Sequence, residues 1–116
     1  MYFITNELCS GCKTFYVYQK MEQCVKSQGK SINLISLDEW DKTFMYNLSV
    51  ERSVSINFEK LDRNLIKVIN KWMAFNNVEK FNAAVINRND STFVFTLFSD
   101  KEINKAITFL NTICTR

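Results

Sequence analysis

Cys9-Ser10-Gly11-Cys12 stands between a short apolar run, Tyr2-Phe3-Ile4-Thr5, and a stretch from about Cys12 to Gln28 with helical periodicity. A strand, a tight turn holding two cysteines in C-x-x-C spacing, then a helix: dithiol chemistry needs that order. The first turn of a helix leaves backbone N–H groups unpaired and is the positive end of the macrodipole. Both favour a thiolate over a thiol, so Cys9 is the expected nucleophile near neutral pH. Cys12, about one turn on, is set to attack the mixed disulfide that forms. The same four residues admit a second reading, two cysteines that only pack together or share a metal. Lys13 adds a positive charge that would lower a thiol pKa, and Glu7 opposes it.

Outward from this turn the chain alternates apolar runs and helical stripes. Val17, Met21, Cys24 and Val25 fall on one face of the first helix, and Gly29 suits a left-handed C-cap. Ile32 to Leu37 reads as a second strand, and a strand–helix–strand unit of this length makes the two strands parallel. Residues 38–57 carry the weakest pattern. Asp38-Glu39-Trp40-Asp41 suits the start of a short helix, and Ser49 to Asn57 is polar and loop-like. Phe58 to about Phe75 reads as a helix with Phe58, Leu61, Leu65, Val68, Ile69 and Trp72 in one apolar stripe. Ala83 to Ile86 and Thr92 to Phe98 read as an antiparallel hairpin joined by the turn-forming Asn87 to Ser91. Ser99-Asp100-Lys101-Glu102 has a capping-box pattern, and Ile103, Ala106, Ile107, Leu110 and Ile113 point inward from a last helix.

The order β-α-β-(α)-α-β-β-α, with C-x-x-C at the first strand–helix junction, resembles the thioredoxin and glutaredoxin superfamily. Val78-Glu79-Lys80-Phe81-Asn82-Ala83-Ala84-Val85-Ile86 is similar to the family segment in which a cis-proline precedes the third strand. The resemblance implies an α/β, thioredoxin-like fold over residues 1–116: a four-stranded mixed sheet flanked by helices, with an extra segment around 38–57. It also implies that Ser10, Gly11, Phe81, Asn82 and Ala83 line the substrate groove beside Cys9 and Cys12. Asn82 departs from the family, because the chain contains no proline. A cis bond before a non-proline residue costs roughly 3 kcal/mol, so Phe81–Asn82 is expected to be trans. Leu8 stands where the family has tryptophan, and the glutathione-binding pattern of glutaredoxins is missing.

Composition bounds the function classes. A chain of 116 residues, 47% hydrophobic and 23% charged, forms one domain with a sizeable core. There is no histidine, which excludes histidine-dependent triads and histidine metal sites. Net charge is +3, all of it beyond residue 58, too little to indicate a nucleic-acid partner. Lys60, Arg63, Lys67 and Lys71 read as a solvated helix face rather than a site for a phosphate backbone or an acidic protein, since no stacking motif accompanies them. No apolar run approaches the roughly 20 residues that span a bilayer, and the N-terminus lacks a signal-peptide pattern, so a soluble, cytoplasmic protein is expected. The Asn-, Lys- and Ile-rich composition suits a phage or viral chain. Cys24 reads as a small buried hydrophobe; Cys114 reads as a buried helix residue or an exposed regulatory thiol. Trp40, Phe44 and Tyr46 suit either a partner-binding surface or a cover for the sheet edge.

The expected activity is thiol–disulfide exchange without a cofactor or metal. A disulfide-containing protein is the substrate and an upstream reductase supplies electrons. The other class of function is a thioredoxin-fold interaction or regulatory module, of host-target or transcription-regulator type, with little or no redox activity.

Overall fold

The computed structural model describes residues 1–6, 12–37, 45 and 56–114. The helix start expected at Asp38, the polar stretch from Ser49 and the residues Trp40, Phe44 and Tyr46 lie outside them. Among the described residues eight elements follow in order: β1 Tyr2–Thr5, α1 Lys13–Ser27, β2 Ile32–Ser36, β3 Ile56–Lys60, α2 Arg63–Phe75, β4 Asn82–Arg88, β5 Ser91–Thr96 and α3 Asp100–Cys114. The strands form one mixed sheet in the order β3-β2-β1-β4-β5. β1 runs parallel to β2 and antiparallel to β4; β3 extends the sheet parallel to β2, and β5 closes the other edge antiparallel to β4.

One face of the sheet carries the core. Phe3, Ile32, Leu34, Ala84 and Ile86 point to it from three strands, and Phe15, Val17, Tyr18, Met21, Val25, Ile103, Ala106 and Leu110 meet them from α1 and α3. Alternation along the strands explains the choice: Phe3 and Thr5 are buried while Tyr2 and Ile4 are only half-buried. At the β5 edge, Phe93 and Phe95 stack on Phe109 of α3 at 4.6 and 5.5 Å between ring centres.

Local signals set the ends of the elements. Gly29 adopts φ +67 behind α1, with Gly29 N–H on Lys26 C=O and Lys30 N–H on Val25 C=O. Asp62 caps α2 by accepting from the Asn64 N–H at 3.0 Å. Ser99 Oγ accepts from the Glu102 N–H at the start of α3. Asn89-Asp90 makes a two-residue hairpin turn, with Asn89 at φ 55.

Two expectations need correction. The sheet has five strands, not four. Ile56-Asn57-Phe58-Glu59-Lys60 is a strand, so the helix expected from Phe58 begins at Arg63. Phe58 and Leu61 fit a helical stripe by spacing, but Ile56 and Phe58 also alternate with Asn57 and Glu59, and the period of two wins once β2 offers an open edge. Glu59 and Lys60 leave this new edge charged, which discourages further strand pairing.

Cys24 is buried, as expected, but it is not a lone apolar filler. It forms a disulfide with Cys114, 90 residues away, joining α1 to the last turn of α3 with Cα atoms 5.2 Å apart. Closing so long a loop restricts the unfolded chain strongly. Cys114→Ser is expected to lower unfolding stability by about 2–5 kcal/mol in urea titrations under non-reducing conditions. Dithiothreitol should then destabilise the parent more than this variant; equal denaturation midpoints for parent and variant would contradict the role assigned to the bond.

Candidate functional site

Three chain segments meet where β1 ends. Asn6, the residue after β1, donates its backbone N–H to Phe81 C=O at 3.1 Å. Its side chain accepts from the Phe81 N–H at 2.8 Å and donates to Glu79 C=O at 2.9 Å. One asparagine therefore fixes the approach to β4 with three hydrogen bonds. One residue earlier, Thr5 Oγ1 donates to Asn82 Oδ1 at 2.7 Å, and both residues are buried. The Phe81–Asn82 peptide is trans, as the absence of proline implies. Asn82 and Ala83 pair with Thr5 and Ile4 in the β1–β4 ladder. Asn82 C=O also accepts from Leu97 N–H, so its backbone carbonyl is engaged within the domain.

Cys12 is the N-cap residue of α1, with an extended backbone at φ −95, ψ 154. Its side chain makes no capping hydrogen bond, and no acidic residue lies in the first helical turn. The positive end of the α1 dipole thus meets Cys12 without a carboxylate in that turn to offset it. Cys12 is disulfide-bonded. Cys9, Ser10 and Gly11 lie outside the described residues.

Lys13 sits at the first position of α1, but its ammonium lies 3.1 Å from Asp100 Oδ1 at the start of α3. Both side chains are largely exposed, so the pair contributes little to stability. Its charge has a carboxylate neighbour rather than acting on a thiol alone, which weakens the tuning expected of it. The pair does bring the N-terminal ends of α1 and α3 together beside Cys12.

Sequence reasoning selected Phe81, Asn82 and Ala83 through the family pattern and missed Thr5 and Asn6. The available signal was a polar pair closing an apolar strand immediately before the cysteine turn. Among the described residues, no group of three or more His, Cys, Asp or Glu side chains stands together as a metal site. No helix among them is long and apolar enough to cross a membrane.

Comparison of the chain with protein-family models, curated proteins and solved structures finds no match. The fold and site define a mixed α/β domain with a disulfide-bonded cysteine capping its first helix.

Thr5→Val would leave Asn82 Oδ1 buried without its hydroxyl donor, at a cost of about 1–3 kcal/mol. Adding Asn82→Leu to Thr5→Val should recover part of that loss in a double-mutant cycle read by thermal or urea unfolding. Strict additivity of the two substitutions would contradict a direct Thr5–Asn82 bond.

Proposed function

We propose that the chain is a thioredoxin-like thiol–disulfide oxidoreductase working through Cys9 and Cys12. The observation that carries this reading is Cys12, disulfide-bonded at the N-cap of α1, where the helix dipole favours thiolate. Cys24 and Cys114 take each other, and Cys9 is the remaining cysteine of the sequence, so Cys9 is the partner this reading gives Cys12. Topology supports the fold: without the edge strand β3, the order β2-β1-β4-β5 and the strand senses are those of the thioredoxin arrangement. On this reading the start of β4 serves as the substrate-pairing segment, with trans Asn82 in place of the family's cis-proline.

In the reduced protein the Cys9 thiolate attacks one sulfur of a protein disulfide. A Cys9–substrate disulfide forms and the other substrate sulfur leaves as thiolate. Cys12 thiolate then attacks the Cys9 sulfur, closing Cys9–Cys12 and releasing the second substrate thiolate. Two electrons have moved from the dithiol to the substrate, and an upstream dithiol reductase restores them. A cytoplasmic setting supplies such reductants.

The second reading is a thioredoxin-fold interaction or regulatory module. It is favoured by the exposed outer face of α2, which exchange chemistry does not use.

Cys9→Ser should abolish reduction of insulin disulfides with dithiothreitol as electron source, measured by turbidity. Cys12→Ser should accumulate a covalent Cys9 adduct with substrate, seen by non-reducing mass spectrometry. Retention of parent turnover by Cys9→Ser would remove the oxidoreductase reading.

A further inference from the structure

α2 presents two apolar arcs where a surface helix ordinarily has one. Ile66, Ile69 and Met73 form the arc turned into the domain; Met73 is buried and the two isoleucines are half-buried. Leu65, Val68, Trp72 and Phe75 form the neighbouring arc and remain 51, 63, 42 and 88% exposed. Their spacing puts Leu65, Val68 and Trp72 in one apolar stripe with Ile69, and the structure leaves these three exposed while Ile69 is half-buried. Four large apolar side chains along one short helix are more than the scattered exposure of an ordinary surface.

Their spacing specifies the shape of what would cover them. Positions 65, 68, 72 and 75 step by three, four and three residues, the repeat that forms the seam between two packed helices. Such a seam is narrow, unlike the broad apolar face that an interfacial helix sinks into lipid. Trp72 continues it onto the body of the domain, stacking on the partly exposed Phe98 at 4.9 Å, and Phe98 meets Phe81 at 5.7 Å.

The flank specifies the charge. α2 contains Arg63, Lys67 and Lys71 and no acidic residue. None of the three makes an ion pair with a described residue. Lys71 borders the seam directly, and Lys67 and Arg63 lie behind it on the same side. The opposite side of the seam is occupied by Ile69 and the domain. A second copy docking seam to seam, antiparallel about a two-fold axis, would bring this cationic flank against itself, and like charges there cost affinity.

We infer that the outer face of α2 docks an acidic amphipathic helix of a partner protein. The partner's apolar residues lie along Leu65, Val68, Trp72 and Phe75, and its carboxylates lie beside Lys71 and Lys67. This is recognition of a helix by a helix face, with the charged flank setting orientation and on-rate. It stands apart from the dithiol reading, because none of these side chains belongs to the Cys9–Cys12 chemistry.

The test uses the full chain, isotope-labelled, and two synthetic peptides of identical composition. One carries leucines in three-four-three spacing with glutamates on one flank; the other is scrambled. The patterned peptide should bind saturably, shift amide resonances of α2, and bind more weakly as salt rises. Phe75→Ser and the double variant Lys67→Glu/Lys71→Glu should each weaken binding roughly tenfold or more, as expected for central apolar and charge-pair positions. Phe75 is so exposed that its substitution should leave the unfolding midpoint unchanged, which separates lost binding from lost folding. Equal binding of the scrambled peptide would overturn the inference. So would shifts confined to other elements, binding to vesicles containing phosphatidylserine without binding to the peptide, or a dimer that Phe75→Ser disrupts. Cys12→Ser should bind the peptide like the parent whether or not it exchanges disulfides.

Discussion

β1 satisfies its backbone on both sides at once, and it has only four residues with which to do so. Tyr2–Thr5 hydrogen-bonds in parallel with β2 and antiparallel with β4, so the two halves of the sheet join through it alone. An unpaired buried amide costs as much as a lost hydrogen bond, so a strand this short must pair completely. Phe3 fixes which face is inward, and Thr5 and Asn6 carry the pairing past the end of the ladder onto Asn82, Phe81 and Glu79. α1 begins with Cys12 as its cap, six residues along the chain from Asn6. The polar stitching of β1 to β4 gives that end of the sheet a fixed frame, which the proposed exchange chemistry requires.

Support on the other side comes from α1 and α3. They pack together over the core face, and Lys13–Asp100 at one end and Cys24–Cys114 at the other tie them. The two ties differ in kind. The exposed ion pair contributes little and weakens with salt, whereas the covalent link acts on the unfolded chain whatever the salt concentration. α1 thus carries a structural disulfide three turns from the cysteine that caps it. The helix that presents the candidate dithiol is the one most firmly held.

Much of this architecture was legible because local and long-range signals agreed. Val17, Met21, Cys24 and Val25 share a helical face and are all buried; Gly29 and Ser99 mark helix ends as their chemistry dictates. β3 was hidden because Phe58 fits two periods at once, the helical spacing to Leu61 and the strand alternation with Ile56. Asp62, an ordinary N-cap residue, was the signal that the helix starts later. The Cys24–Cys114 bond had no local signature: a pairing over 90 residues becomes visible only when α1 and α3 lie side by side. The outward turn of Leu65, Val68 and Trp72 was hidden too, because helical spacing identifies an apolar face without saying whether this chain or another covers it. At the candidate site, Cys12, Phe81, Asn82 and Ala83 were named by motif, while Thr5 and Asn6, which hydrogen-bond to Asn82, Phe81 and Glu79, lack any motif.

The most direct test of the account is the pH dependence of Cys9 alkylation in the protein after the Cys9–Cys12 pair has been reduced, with each thiol followed by peptide mass. A dithiol poised for exchange predicts half-maximal alkylation of Cys9 below about pH 7.5, and reclosure of the pair when oxidised glutathione is added. Half-maximal alkylation near the free-thiol value of about 8.5, with a pair that never recloses, would contradict it.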